Sequence, residues 1–435
     1  MQARKVFLFL FTIAGVCAPA WSVYRDIHIE REYTGDLRNR IVGARLQMDG
    51  KAPYFYKWQS KDSIRYYDPQ NFDSLKVSNI TATPFQHALF YPLAGVSQRT
   101  ISKIWLFIEY LLLIITVAVS LLFTNRQDQQ IAVTVCALTF LFSSAWKNHI
   151  AAGQIYLLIP SLSMIFYYSL QRQTRPVSGL ASGILASVLI LIRPNLLLFF
   201  LPLLFLYKNY PARWRWSFVG GIFLLFALSF GQANSRLYWN DYRWAMKEQL
   251  RSHQALDPFV QQNEPDPGYN NWEGWNMEKT KEAYAAFPFE YNQQHGNLFV
   301  IVNHLLGIKT PLWLLTSLAA ISICGLLFLF YKNKIIGKKI VYHELAILAF
   351  CTYMFSDFFS PIHRSLYNGV QWLFPLLLVA AGYQTRYRPA YTVIIVGLLL
   401  NCVNSTAIPM LQSLGEYIIF AGLLFYVFKH KPAVA

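Results

Sequence analysis

Charge is scarce in this sequence, and so are the patterns of a soluble enzyme. Only 14% of the 435 residues are charged and 55% are apolar, whereas a soluble domain has about 25% charged residues. The net charge of +16 comes with neither a basic domain nor a nucleic-acid-binding motif. The composition therefore excludes an ordinary soluble domain and argues against a nucleic-acid partner.

The sequence also lacks the cysteine patterns of disulfides and metal sites. Neither a CxxC pair nor a Cys/His spacing typical of a metal site occurs, and no tandem repeat is present. We therefore expect no disulfide between outer loops, no metal and no cofactor. All five cysteines lie in apolar stretches: Cys17, Cys136, Cys324, Cys351 and Cys402.

Long apolar runs dominate the chain instead. They predict an all-α polytopic membrane protein that forms a single integral-membrane domain over residues 1–435. Residues 5–21 resemble a signal peptide, but many runs follow, so we interpret them as a retained first helix, with cleavage as the alternative. The twelve predicted spans are 5–23, 102–124, 131–146, 155–170, 177–192, 195–207, 216–232, 311–331, 341–356, 367–383, 390–409 and 412–428.

The distribution of basic residues orients these spans. Most Lys and Arg residues of the short loops fall on one side, which is the cytoplasmic side by the positive-inside rule. Both chain termini are then cytoplasmic, and the long loops 25–101 and 233–310 are extracytoplasmic. A bacterial inner membrane is the expected location.

One apolar run, 177–207, could be one long helix or two short ones. Both of its flanks are basic and should lie inside, so we predict two short spans that turn outside at Arg193. Helices this short thin the membrane locally or line a cavity.

The first outer loop carries an acid, Asp36, directly before an amphipathic stretch. Within residues 37–48, a helical spacing would place Leu37, Ile41, Ala44 and Met48 on one face, which predicts a helix lying in the membrane interface. Asp36 would lie at or near its N-cap. Two interpretations stay open: the acid caps the helix, or it acts as a base on a substrate held in the membrane.

The remaining outer segments are apolar or aromatic. Residues 80–98 contain two prolines and predict a second interfacial or re-entrant segment, and residues 297–308 predict a short interfacial helix. The loop 233–310 is rich in Trp, Tyr, Asn and Gln, which suits either membrane anchoring or sugar binding. Its aromatic residues include Trp239, Trp244, Tyr269, Trp272 and Trp275.

Polar side chains gather at the outer ends of the predicted spans. Ionisable groups at a membrane edge are costly, so each is a functional candidate. A cluster of Lys, Arg and His suits a lipid-linked phosphate, whose charge it can pair through hydrogen bonds. The candidates for donor-phosphate or substrate binding are Arg193, His363, Arg364, His149, Lys147, Gln154, Arg40 and Tyr54.

Several motifs, in order, resemble glycosyltransferase family 87, a group of membrane enzymes with the GT-C fold. An outer-loop acid precedes GKAPY (50–54), which is similar to the family's G-x-x-P-Y stretch. The further similar segments are TPFQHALFYPLAG (83–95), AAGQIYLLI (151–159), LILIRPNLLLF (189–199), HGNLFVIVNHLL (295–306) and FSPIHRSLYN (359–368).

The resemblance implies a GT-C-type bundle of about twelve membrane helices that uses a polyprenyl-phosphate sugar. Asp36 would be the general base for attack on the anomeric carbon, with inversion. Arg193 and His363, with His149 or Arg364, would stabilise the leaving phosphate. The transferred group would be one hexose, with mannose among the candidates, and the acceptor a glycolipid or glycan.

Three other functions stay open. Pro-broken short spans also suit a lipid-linked-sugar flippase or transporter. A non-catalytic assembly subunit would use the large loops to bind a partner. An O-antigen ligase would transfer a whole glycan from a pyrophosphate lipid.

Overall fold

A computed structural model describes residues 2–29, 35–54, 56, 61–66, 80–171, 175–255, 296–308, 310–335, 342–361, 364–403 and 410–429. Every regular element in these ranges is helical. The α-helices are α1 (Gln2–Ile27), α2 (Gly35–Met48), α3 (Pro84–Leu89), α4 (Gln98–Leu121), α5 (Gln127–Phe140), α6 (Ser144–Ala152), α7 (Leu158–Gln171), α8 (Pro176–Ile192), α9 (Ala212–Phe230), α10 (Ser235–Ala255), α11 (Leu298–Leu306), α12 (Leu312–Phe330), α13 (Tyr342–Phe358), α14 (Leu373–Ala381), α15 (Arg388–Cys402) and α16 (Leu411–Lys429). The longer 3-10 helices are Pro194–Phe205 and Leu366–Trp372.

Several of these helices have the length and apolarity of membrane spans. Among the described residues, three qualify alone: Gln98–Leu121, Leu312–Asn333 and Leu411–Lys429. Two bent pairs, α5 with α6 and α9 with the first part of α10, raise the number to as many as five if each pair is one span. These helices support a membrane protein, and the expected total of about twelve spans stays a prediction.

The predicted break at Arg193 is confirmed. Helix α8 ends at Ile192, Arg193 adopts an extended conformation, and Pro194 begins the 3-10 helix that continues to Phe205. Residues before proline are disfavoured in the α conformation, which explains the position of the break. Whether the two segments cross the bilayer separately stays a prediction.

The predicted span 131–146 is wrong as one continuous helix. The chain turns between Phe140 and Ser144, and α5 and α6 meet at an angle of 56°. Ser143 caps α6 by accepting a hydrogen bond from the Trp146 backbone N–H. Lys147 and His149 consequently lie on helix α6 and not in a short turn between spans.

The apolar core is built around helices α13 and α14. Nearly every residue of both is buried, whatever its position around the helix. The 3-10 helix Pro194–Phe205 packs against α13, and its buried residues Leu196, Phe199 and Pro202 recur every three residues. A period of three is the repeat of a 3-10 helix, so these residues form a straight buried edge.

Helices α8 and α9 pack backbone to backbone at glycines. A Cβ atom on Gly183 would overlap the carbonyl oxygen of Phe218, and one on Gly221 would overlap that of Leu180. Small residues at crossings allow helices in membranes to approach closely. Gly397 of α15 and Gly415 of α16 make a second such crossing.

Helix α2 exists as predicted and is more buried than a helix on the protein surface, while its placement in the membrane interface stays a prediction. Leu37, Ile41 and Ala44 are buried as expected, whereas Met48 is 49% exposed. The charged side chains of Arg38 and Arg40 are buried, where a surface helix would turn them to water. The helix is thus enclosed along most of its length.

Arg45 fixes the far half of α2 to the loops around it. Its three guanidinium nitrogens donate to the carbonyl oxygens of Arg65, Ala94 and Val96, each at 2.8 Å. A planar guanidinium suits this three-way anchoring because its donors have fixed directions.

The other loop segments contain helices where the structure describes them, and their position relative to a membrane stays a prediction. The segment 80–98 contains α3 and a short 3-10 turn, Tyr91–Leu93, and is largely buried. The helix predicted at 297–308 is α11. In the first part of the second loop, the structure describes residues 233–255, which include all of α10. Tyr269, Trp272 and Trp275 lie outside the described residues.

Adjacent glycines on α9 provide a test of the α8–α9 packing. Gly221→Ala should destabilise the protein by about 1–3 kcal/mol, because the added methyl meets backbone that cannot move aside. Gly220→Ala is the matched control, since a Cβ there meets nothing within 4 Å, and it should be neutral or stabilising by up to about 1 kcal/mol. Thermal unfolding in detergent, followed by tryptophan fluorescence, measures both. Equal midpoints would contradict the close crossing.

Candidate functional site

Asp36, Gln154 and Arg40 form a hydrogen-bonded chain. The Gln154 side-chain amide donates to the Asp36 carboxylate through Nε2, and its Oε1 accepts from Arg40 Nη2 at 2.6 Å. Three of the candidates from the sequence are therefore in direct contact. Asp36 lies in the first turn of α2 and remains partly exposed, while Arg40 and Gln154 are buried.

The backbone around Gln154 explains why this side chain faces α2. Helix α6 ends at Ala152 and is capped by Gly153, which has φ 61° in the left-handed region that glycine tolerates best. Gln154 follows directly, and its carbonyl oxygen accepts a hydrogen bond from the Trp105 indole N–H at 3.1 Å. Trp105 in turn packs against Phe90, at 5.2 Å between ring centroids.

Burial and the neighbouring polar groups have opposite effects on the pKa of Asp36. Burial raises the pKa of the Asp36 carboxyl above its ordinary value of 3.8, while Arg40, a hydrogen bond from Asn39 and then Arg38 act to lower it. Desolvation is the largest of these effects. Asp36 is therefore a stronger base than a solvated aspartate, and it is still accessible.

Two buried histidines lie within electrostatic range of Arg40. His87 of α3 contacts Gln47 through Nδ1 at 3.2 Å, and burial, followed by Arg40, lowers the pKa of His87 to about 3. His149 of α6 lies 3.2 Å from Glu109 of α4, and both are buried. The imidazole of His149 is therefore enclosed and offers no exposed surface to a substrate.

A second charged group joins Arg193, Asp357, Arg364 and Glu416. Arg193 Nη2 donates to one Asp357 oxygen at 2.6 Å, and Arg364 Nε lies 3.5 Å from the other. Arg364 Nη1 also donates to Glu416. Two cations and two carboxylates alternate, so the group carries no net charge when all four are ionised.

The exposure of the two arginines differs. The Arg193 side chain is 19% exposed and that of Arg364 is 5% exposed. Arg193 Nη1 and Arg364 Nη2 both lack a hydrogen-bond partner among the described residues. Greater exposure is therefore what distinguishes Arg193 as the contact for a ligand.

Two tyrosines lie between the two charged groups. Tyr156 and Tyr367 stack with ring centroids 5.8 Å apart, and the Arg193 guanidinium lies 5.1 Å from the Tyr156 ring centre. Tyr367 is within electrostatic range of Asp36 and Arg40. The stack thus links the Asp36 end of the site to the Arg193 end.

The remaining candidates are placed at different distances from this centre. Tyr54 is buried against Tyr242 of α10 and donates to the carbonyl oxygen of Ala82 at 2.6 Å. Tyr242 itself is within electrostatic range of Tyr156 and Arg193, so α10 lies beside the Arg193 end of the site. Lys147 is exposed on α6, and no described contact brings it to Asp36. His363 lies outside the described residues.

Sequence reasoning missed the acids that pair with these cations and the tyrosine stack. Glu109 and Glu416 are single acids inside apolar runs, and this alone marks them as candidates. Asp357 follows the predicted span 341–356, but its pairing with Arg193 joins residues 164 positions apart. Tyr156 follows Gln154 in the GQIY segment and carried no signal of its own.

The chemistry available here combines a base and a cation. A partly exposed, desolvated carboxylate can take a proton from a hydroxyl group, and a guanidinium with a spare donor can bind an anionic oxygen. Aromatic rings and amides lie between and beside them.

Residues 81–263 match the model of glycosyltransferase family 87. No curated protein and no solved structure matches the chain. The matched range includes Gln154 and Arg193, while Asp36 and Asp357 lie on either side of it. The match includes the segments 83–95, 151–159 and 189–199 and confirms their resemblance to the family, which together with the apolar helices indicates a membrane glycosyltransferase.

Proposed function

We propose that the protein transfers one sugar, a hexose, from a polyprenyl-phosphate donor to a lipid- or glycan-linked acceptor, with Asp36 as the general base. The observation that carries this proposal is the position of Asp36. Its carboxylate is desolvated but accessible, held by Gln154, and linked by two stacked tyrosines to Arg193. The family match supports the enzyme class.

In the proposed reaction, the acceptor hydroxyl gives its proton to Asp36 as its oxygen attacks the anomeric carbon. The bond between that carbon and the phosphate oxygen breaks on the opposite face, so the configuration inverts. The electron pair of this bond leaves with the polyprenyl phosphate. One base is enough, because a phosphate leaving group needs charge stabilisation more than a proton.

Arg193 is the proposed contact for the leaving phosphate. Its charge is already balanced by Asp357, so the phosphate would join an existing network and not meet an isolated cation. The greater exposure of its side chain, 19% against 5% for Arg364, supports this arrangement. Arg364 would hold Asp357 in place, and His363, its neighbour in the sequence, is proposed to assist at the phosphate.

The proposed setting is a bacterial inner membrane with the site facing outward. The lipid tail of the donor would stay in the bilayer beside the apolar helices, while the sugar and phosphate enter among α2, α10 and the polar ends of the spans. This placement rests on the distribution of Lys and Arg in the short loops.

The direct test is sugar transfer by purified protein in nanodiscs. Radiolabelled polyprenyl-phosphate hexoses and pentoses are offered together with a membrane glycolipid extract. Labelled glycolipid from one donor supports the proposal. Transfer of a whole glycan from a pyrophosphate lipid would favour the ligase, and lipid-linked sugar crossing the bilayer without transfer would favour the flippase. Folded protein with none of these activities would favour the assembly subunit.

Removal of the Asp36 charge should abolish most transfer. We expect Asp36→Asn to lower kcat by about 10²–10⁴-fold with little change in KM, because only proton transfer in the transition state is lost. Asp49→Asn is the matched control: it removes the same charge about 20 Å away at the other end of α2. Equal activity of the Asp36→Asn variant and the wild type would leave Asp36 as a residue that only stabilises the helix.

The pH dependence should report the state of Asp36. The base acts only when ionised, so transfer is present above its pKa and is lost as the pH falls through it. Because burial raises the pKa of Asp36, this loss should occur at higher pH than for a solvated aspartate. Initial rates from pH 4 to 9 measure this loss of activity at low pH, which is called the acid limb of the pH profile. The residual activity of Asp36→Asn should lack it, and an identical limb in that variant would assign it to another group.

The role of Arg193 can be separated from its pairing with Asp357. Arg193→Gln alone should destabilise the protein by about 1–3 kcal/mol, since buried Asp357 loses its closer partner and keeps, among the described residues, only Arg364 at 3.5 Å. The double variant Arg193→Gln/Asp357→Asn removes both charges and should regain most of that stability. Its transfer rate should nevertheless stay at least about tenfold below wild type, as the phosphate has lost its donor. Recovery of both stability and activity would show that Arg193 only neutralises Asp357.

A further inference from the structure

The side chain of Gln154 is the only described side chain that bridges Asp36 and Arg40 directly. We propose that Gln154 is the positioning residue for Asp36: it holds the carboxylate in one orientation and couples it to the charge of Arg40. This inference rests on the proposed role of Asp36 as base. It assigns Gln154 a role toward the base, whereas the sequence had suggested contact with the substrate.

The orientation of the amide is determined by its two neighbours. Oε1 faces a guanidinium, which only donates, and Nε2 faces a carboxylate, which only accepts when ionised. The flipped amide would place two donors together at Arg40 and two acceptors together at Asp36. A neutral amide is thus the side chain that satisfies both ionised partners at once.

The backbone of Gln154 is fixed independently of its side chain. Gly153 in the left-handed conformation turns the chain out of α6, and the Trp105 indole holds the Gln154 carbonyl oxygen. The amide therefore reaches α2 from a rigid support. A group held in this way limits the rotation of the carboxylate, which general base catalysis requires.

Arg40, at the other end of the hydrogen-bonded chain Asp36–Gln154–Arg40, is also fixed in position. Arg40 is buried, and His87 and His149 lie within electrostatic range on α3 and α6. A guanidinium enclosed in this way cannot turn away to water. Its hydrogen bond to Gln154 at 2.6 Å therefore persists, and through Gln154 it favours the ionised state of Asp36.

The groups that face Asp36 from each packed element are few. Helix α2 contributes Arg38, Asn39 and Arg40, the turn after α6 contributes Gln154, and the 3-10 helix Leu366–Trp372 contributes Tyr367. No other carboxylate acts on Asp36 among these described groups. Replacing the amide by an acid would therefore introduce the first like charge beside the base.

The isosteric variant Gln154→Glu makes the test. The new carboxylate can still pair with Arg40, but it repels ionised Asp36, so the two acids hold one proton to higher pH. We expect the acid limb of transfer to move to higher pH, with a loss of activity about tenfold larger at pH 6 than at pH 8. A residue with a merely structural role would not move this limb.

Two further variants separate position from charge and from stability. Gln154→Asn keeps the amide but is shorter by one methylene, so kcat should fall about 10- to 100-fold with KM unchanged, and the acid limb should move less than in Gln154→Glu because no like charge is added. Gln412→Glu makes the same chemical change at another buried glutamine, which donates to Ser144 Oγ at 2.9 Å, and should leave the limb in place. Thermal unfolding confirms that each variant is folded.

The outcomes are distinguishable. Wild-type protein that transfers no sugar would overturn the proposed function. Active wild type with an unchanged acid limb in folded Gln154→Glu would overturn the role of Gln154 and leave the enzyme standing. A limb that moves equally in Gln154→Glu and Gln412→Glu would also overturn it, because the shift would then not depend on contact with Asp36.

Discussion

The cost of burying charged side chains away from water is the constraint that determines the arrangement of the polar end of this bundle. Arg38, Arg40, Asp357, Arg364 and Glu416 are all buried, and an ion taken from water costs several kcal/mol unless partners compensate it. Each buried charge must therefore find an opposite charge or a dipole at a fixed place. The loops and helix ends at this side of the protein are arranged by those pairings.

The pairings divide the site into two halves with different properties. Around Asp36, a single accessible acid is held by an amide and two buried arginines. Around Arg193, cations and acids alternate and cancel. A developing negative charge on a leaving phosphate would be placed in the second half, where fixed dipoles and ion pairs reorganise little. The first half keeps its acid basic through burial, and the stacked Tyr156 and Tyr367 lie between the two halves.

Periodicity and charge asymmetry predicted the helices well, because both are local properties of a sequence. The end of α8 at Arg193 and the start of a helix at Asp36 could be read from a few adjacent residues. The span 131–146 was predicted as one helix because its break carries no proline, and hydropathy does not register a turn capped by Ser143. The burial of Arg40 depends on partners more than a hundred positions away, and no local pattern contains that information. The same holds for the site: Asp36, Gln154 and Arg193 were identified singly, whereas their mutual contacts and the pairing with Asp357 required the fold.

The 3-10 helix Pro194–Phe205 has a consequence for how deep the chain reaches. A 3-10 helix rises about 2.0 Å per residue, against 1.5 Å in an α-helix. Its 12 residues therefore extend about 24 Å, where an α-helix of the same length would cover about 18 Å. Because of this larger rise, the distance along the helix axis from Arg193 to Tyr207 is about one α-helical turn longer than an α-helix of the same length would give. A substitution that converted this segment to an α-helix would shorten it by about 6 Å and displace Arg193 along the axis relative to Tyr207.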